Sequence, residues 1–217
     1  MQFSLRGLLF ATLIAAVGLG TLTPAVRRAN QQRAVLAMVE KYGGQVRYDF
    51  EDPQLGTGTP RRHPATNRRL RKLLGDDFFD RVVAVEIRAR SYSDLSASPP
   101  ALNDDEFRQI TALSELRILK IDESRLTDEG AGRVSWLVNL EELRLTSPFI
   151  TDRTLEAIAR LPKLRRLCLM SPQITDAAID TIGSMKDLQQ VNLTGTRVTR
   201  EGLNRLHQLL PKTWVNH

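Results

Sequence analysis

The side chains that could do chemistry are few and scattered. Cys168 is the one cysteine in 217 residues, so no internal disulfide can form. It could serve as a nucleophile only as a thiolate beside a base. The three histidines, His63, His207 and His217, stand far apart and show no metal-ligand spacing. Asp49, Glu51 and Asp52 cluster without the pattern of a calcium loop. Gly56-Thr57-Gly58 is not followed by the Gly-Lys-Ser/Thr of a phosphate loop, nor by a strand-to-helix junction. No acid–base, nucleophilic, metal or cofactor constellation emerges, and the reading is of a protein that binds rather than one that catalyses. Cys168 then reads as a small residue in a strand.

The formal charge of +6 is a local excess. Arg61, Arg62, Arg68, Arg69, Arg71 and Lys72 fall close together, while the chain from 103 onward is nearly balanced. Such a patch attracts anionic lipid, a polyanion or an acidic protein surface, or is only a solvated loop beside a membrane. No motif for a specific nucleic acid accompanies it.

Gly7 to Val26 carries no charge over 20 residues. Leu8, Leu9, Phe10, Leu13, Ile14, Val17, Leu19 and Leu22 supply its apolar surface. As a helix rising about 1.5 Å per residue it reaches across a bilayer core of roughly 30 Å. Two readings stay open: an uncleaved anchor, or a signal peptide cut near Thr23-Pro24-Ala25. The run outlasts an ordinary signal-peptide core and Pro24 sits awkwardly at the cut, which favours the anchor. Arg6 on one side and Arg27, Arg28 and Arg33 on the other give no firm orientation. An extracytoplasmic C-terminal domain is the expectation, with the cytoplasmic face or export after cleavage as alternatives.

Asn30 to Tyr42 reads as a helix with Val35, Val39 and Tyr42 on one face, ended by Gly43-Gly44. Residues 46–50 alternate like a half-buried strand, Glu51 to Asn67 is a Pro/Gly-rich loop, and RLRKLL forms a short amphipathic helix. Phe78 and Phe79 complete what looks like a cap.

From there the chain repeats itself every 24 residues. Leu116, Leu140, Leu164 and Leu188 form one column; Leu119, Leu143, Leu167 and Val191 a second; Ile121, Leu145, Leu169 and Leu193 a third. Leu126, Ile150, Ile174 and Val198 follow, then Ala131, Leu155, Ile179 and Leu203, then Val134, Ile158, Ile182 and Leu206. Val82, Val85 and Ile87 open an earlier unit, lengthened by residues 88–100. The L-x-x-L-x-L part has the alternation of a strand, and the later columns have helical spacing. Thr127-Asp128, Thr151-Asp152 and Thr175-Asp176 sit between them. Each threonine is a natural N-cap, and each aspartate suits the positive end of a helix dipole, worth about 0.3–1 kcal/mol.

These columns resemble the leucine-rich-repeat superfamily, and the Ile/Leu-Thr-Asp turns look like its ribonuclease-inhibitor and F-box-associated branch. The likeness covers about residues 68–217. With the apolar run and the cap, the whole chain is similar to small bacterial membrane-anchored proteins of this kind, and LLPKTWVNH resembles the branch's closing strand. The resemblance implies an α/β fold: a short right-handed horseshoe arc of about five repeats with an N-terminal α+β cap and one transmembrane helix. It divides into an anchor or signal peptide (1–28), a capping region (29–81) and the repeats (82–217). The position where this superfamily carries asparagine or cysteine holds Ser124, Pro148, Pro172 and Thr196. Proline has no N–H to donate, so the usual ladder must be weakened or replaced there.

In such proteins the outward side chains of the concave sheet make the contacts. Strands about 4.8 Å apart would set Glu86 beside Lys120, Arg88 beside Asp122 and Glu142 beside Arg166. A less charged patch of Cys168 and Met170, beside Thr146, Asn192 and Thr194, is left between them. Lys120, Arg144, Arg166, Cys168, Met170 and Asn192 are therefore the candidate contacts for a protein partner, with Arg144 and Arg166 at the rim. A structural protein that packs against copies of itself is the alternative.

Overall fold

The computed structural model describes residues 26–49, 80–87 and 101–217. The apolar run before Val26, the basic cluster Arg61–Lys72, the RLRKLL segment and the 88–100 insertion lie outside the described residues. Among the described residues no helix is long and apolar enough to cross a membrane.

Residues 26–41 are helical (α1), so the helix is already formed four residues before the Asn30 start expected from the pattern. Val35, Met38, Val39 and Tyr42 bury the face that the spacing marks out. Gly43, at φ 66°, turns the chain in a conformation that costs other residues more. The chain then enters β1 (Gln45–Tyr48), which pairs antiparallel with β2 (Val82–Ile87). Five parallel strands follow in sequence order: β3 (Ile118–Ile121), β4 (Glu142–Thr146), β5 (Arg166–Met170), β6 (Gln190–Asn192) and β7 (Trp214–Asn216). Between strands lie α2 (Asp104–Ile110), α3 (Asp128–Gly132), α4 (Asp152–Ile158), α5 (Ile179–Ser184) and α6 (Arg200–Leu209). Short 3-10 turns extend α3 and precede α5. Helices are about 10 Å wide and strands about 4.8 Å apart, so stacking these coils curves the sheet to the inside.

The columns are the reason the coils stack. Leu119, Leu143 and Leu145 are fully buried, and of the six columns only Leu203 is left partly exposed, on the last helix. Residues at equal positions are register partners, Leu119 with Leu143 and Leu143 with Leu167. Residues of α1 and of every later coil belong to one continuous apolar core.

Two polar ladders tie the coils together, and neither is apparent in one repeat alone. In the first, serines replace the expected asparagine from one position earlier. The Ser147 hydroxyl donates to the Leu126 carbonyl at 2.8 Å, and the Ser171 hydroxyl to the Ile150 carbonyl at 2.7 Å. Both serines are essentially buried. Each also accepts from the N–H just past its proline, Phe149 or Gln173. Pro148 and Pro172 therefore leave no gap.

In the second ladder, each helix's first aspartate reaches the next coil's capping threonine. Asp104 accepts from the Thr127 N–H and hydroxyl at 3.0 and 2.7 Å. Asp128 holds Thr151 the same way, Asp152 holds Thr175, and Asp176 holds Thr199. Each threonine in turn accepts from its own helix. The aspartate is thus a rung between coils as well as a charge at a helix end. The ladder stops at Thr199, which is followed by Arg200 where the other units have aspartate.

The turn after the strand is built in two ways. Ser147 and Ser171 serve the middle coils, while the same position in the outer ones holds Glu123 at φ 53° and Gly195 at φ 76°. The left-handed region costs a non-glycine residue roughly 1–2 kcal/mol. Glu123 is exposed, so Glu123→Gly should raise stability by about 0.5–1 kcal/mol, once glycine's greater unfolded-state freedom is subtracted. A urea midpoint shifted upward with unchanged slope is the expected reading; a comparable loss would contradict it.

Candidate functional site

The strand alternation sends one set of side chains into the core and the other onto the open sheet face. Along that face the charges form a chain across five strands. Arg47 lies 3.3 Å from Glu86, and Lys120 bridges Glu86 at 3.6 Å and Glu142 at 2.8 Å. Arg166 completes it, 2.7 Å from Glu142. Two of the three expected pairs, Glu86 with Lys120 and Glu142 with Arg166, are therefore present; Arg88 lies outside the described residues. Lys120 and Arg166 are held in this chain through Glu142. Beside it, on the same edge of each coil, Arg117 grips Glu141 through two hydrogen bonds of 2.8 and 2.9 Å.

These carboxylates are tuned by their cations. Burial pushes the Glu142 pKa up, but hydrogen bonds from Lys120 and Arg166 outweigh it and hold the group below the usual range. Hydrogen bonds from Arg117, against partial burial, do the same for Glu141. Asp128 behaves alike: burial opposes its charge, and donors from Thr151 and Thr154 prevail. Groups depressed in the folded state contribute stability above their unfolded pKa and lose it as pH falls towards the folded value. Thermal unfolding should therefore be nearly constant from neutral pH to about 5 and fall steadily below about pH 4, where unfolded carboxylates take up protons. A melting temperature higher at pH 3 than at pH 6 would contradict the assignment.

Arg144 stands outside this neutralisation. It lies in register with Lys120 on one side and Cys168 on the other, and among the described residues it makes no ion pair. Its guanidinium leans on the Cys168 thiol, and its Nε is buried without a hydrogen-bond acceptor. Arg144 therefore lies where the charged chain meets the patch, between Lys120 and Cys168. Burial raises the Cys168 pKa, with the Arg144 charge only partly opposing it, so the thiol stays protonated at neutral pH. That is the reverse of what a nucleophile needs. Met170 and Thr146 are register partners in the next row and half-buried. Asn192 is partly committed, its amide oxygen accepting from the Thr194 N–H and hydroxyl at 2.9 and 2.6 Å.

The strand, turn and capped-helix unit now stands in place with its leucines inward and its sheet in register. The chain folds as a leucine-rich-repeat solenoid.

No family model matches this leucine-rich-repeat chain, and neither does any curated protein. Among solved structures it is similar to an internalin of Listeria monocytogenes, 24% identical with a TM-score of 0.41, over 50% of this chain and 30% of that one. It is also similar to a leucine-rich-repeat protein of Leptospira interrogans, 20% identical with a TM-score of 0.38, over 63% of this chain and 37% of that one. The match thus spans about a third of either neighbour's length.

Three features escape the repeat pattern. Trp136, after the third helix, and Trp214, on the closing strand, are 59% and 58% exposed. The Arg133 guanidinium lies over the Trp136 ring, at 5.4 Å. Trp214 belongs to β7, whose outer edge has no strand beside it among the described residues. Phe149 projects from the Ser-Pro turn, 53% exposed. All three positions fall outside the six inward columns.

Proposed function

We propose that this chain is a membrane-tethered binding module whose concave sheet face takes a protein partner, with Arg144, Cys168 and Met170 at the centre of the contact. One observation carries the reading. The other cations of the face are matched in a continuous chain, while Arg144, and Asp122 at the end of the neighbouring strand, make no ion pair among the described residues, next to the least charged part of the sheet. A guanidinium beside apolar sulfur side chains suits a partner that offers a carboxylate flanked by apolar groups. The raised thiol pKa of Cys168 supports binding over catalysis.

The tether is the uncharged run Gly7 to Val26, with the repeats on the extracytoplasmic side, and the basic cluster Arg61–Lys72 is suited to anionic lipid or a polyanion close to that surface. Resistance to extraction by alkaline carbonate tests the tether, and protease accessibility on intact cells tests the side.

Charge reversal at the centre of the face tests the contact. Arg144→Glu and Met170→Asp, each folded by circular dichroism, should weaken capture of the partner by about tenfold or more. Capture undiminished in both variants would remove the concave face from the account. The alternative, self-association, draws on the open edge of β7 with its exposed Trp214. A purified chain whose mass in solution doubles with concentration, and which reverts to one copy as Trp214→Ser, would favour it.

A further inference from the structure

A cleft of about 270 Å³ separates α1 from the first coil, far from the sheet face. Arg27, Arg28 and Arg81 stand around it, and Leu113 and Val82 supply apolar wall. Glu115 is the one acidic group of the lining and lies 3.4 Å from Arg81, both partners roughly half exposed. Exposed pairs of that kind hold weakly and exchange for a better anion. Arg28 has a partner of its own, but Arg27 and Arg81 still outnumber Glu115, so the cleft is cationic on balance.

Gln32 makes it more than a basic surface. It lines the cleft at 1% exposure, and its amide nitrogen donates to the Asp80 carbonyl at 3.0 Å. Its amide oxygen has no hydrogen-bond partner. A buried acceptor left unpaired costs about 1–3 kcal/mol, so a ligand that brings a donor to it is favoured. The occupant must then carry an anion for the arginines and, a few ångströms away, a hydroxyl for Gln32. The cleft holds a headgroup rather than a larger molecule.

Its place along the chain narrows the source. Val26 ends the uncharged run, and a helix rising about 1.5 Å per residue sets Gln32 roughly 9 Å further on. That is just beyond the polar layer of roughly 5–8 Å that flanks a bilayer's hydrocarbon core, within reach of a headgroup. We propose that the cleft between α1 and the first coil binds the glycerol-phosphate headgroup of an anionic membrane lipid. The phosphate lies against Arg27 and Arg81, and a glycerol hydroxyl donates to Gln32. The source of the ligand rests on the tether reading above; the chemistry of the cleft does not.

The test uses the full chain in an uncharged detergent, titrated with short-chain phosphatidylglycerol, short-chain phosphatidylcholine or glycerol 3-phosphate, and read by native mass spectrometry. Phosphatidylglycerol should bind one to one and saturate, phosphatidylcholine should not, and glycerol 3-phosphate should compete only weakly. Arg27→Ala combined with Arg81→Ala should weaken binding by about tenfold or more, and Arg153→Ala on α4 should leave it unchanged. Gln32→Glu should weaken it further by placing a negative charge against the phosphate; failure of that variant to fold leaves the surface pair to decide. Equal binding of phosphatidylcholine, or wild-type affinity in the arginine pair, would overturn the site. Glycerol 3-phosphate binding as tightly as the lipid would overturn the membrane source. Carbonate extraction speaks to the tether alone, so the two claims fail separately.

Discussion

Leu143→Ala should cost about 2–5 kcal/mol, the range for opening a cavity under a buried leucine. Leu143 is fully buried and in register with Leu119 and Leu167, so its side chain belongs to two coil-to-coil interfaces at once. In a stack where each coil touches only its neighbours, a weakened middle also weakens the coupling between the two ends. The unfolding transition should therefore broaden as its midpoint drops. Leu203→Ala serves as the comparison, since that residue is partly exposed on the last helix and should cost less. Urea unfolding followed by circular dichroism measures both. Equal and small losses would mean that the columns do not carry the stack.

Asp128→Ala should come second, at about 1.5–3 kcal/mol, the range for hydrogen bonds to a charged group. Its carboxylate receives the Thr151 N–H and hydroxyl and the Thr154 hydroxyl, and Thr154 is 1% exposed. Removing the carboxylate strands those donors. Glu129 next to it is an exposed carboxylate in the same first turn and feels the same helix dipole. If the aspartates acted only on the dipole, Asp128→Ala and Glu129→Ala would each cost about 0.3–1 kcal/mol. A ladder between coils predicts a several-fold difference between them. A double-mutant cycle of Asp128→Ala with Thr151→Ala should show coupling, and strict additivity would contradict the rung.

The repeat was legible because its signal is one-dimensional: six inward positions at a fixed period dictate strand, helix and stacking order without knowledge of any contact. The capping role of Thr127, Thr151 and Thr175 followed from residue type, as did the Glu142–Arg166 pairing from strand spacing. The Asp-to-Thr rungs were not legible, because two residues 23 apart meet only once the exact pitch of the coil is known. Ser147 and Ser171 were hidden for a related reason. The superfamily pattern points to the next position, where proline stands, while the bond between coils is made by a hydroxyl one residue earlier. β1 belongs to no repeat, and nothing in its alternation foretells that it runs antiparallel against β2. Arg144 became distinctive only after its neighbours were seen to be matched with one another.

The sheet face is the surface that the columns exist to present, and Arg144 is its unmatched cation among the described residues. A photo-crosslinking amino acid placed singly at 144, at 170 and at the exposed helix position 153, in the cell that makes the protein, tests that most directly. The account predicts one and the same partner captured from 144 and 170 and none from 153. A partner captured from 153, with nothing from the sheet positions, would place recognition on the helical side and contradict it.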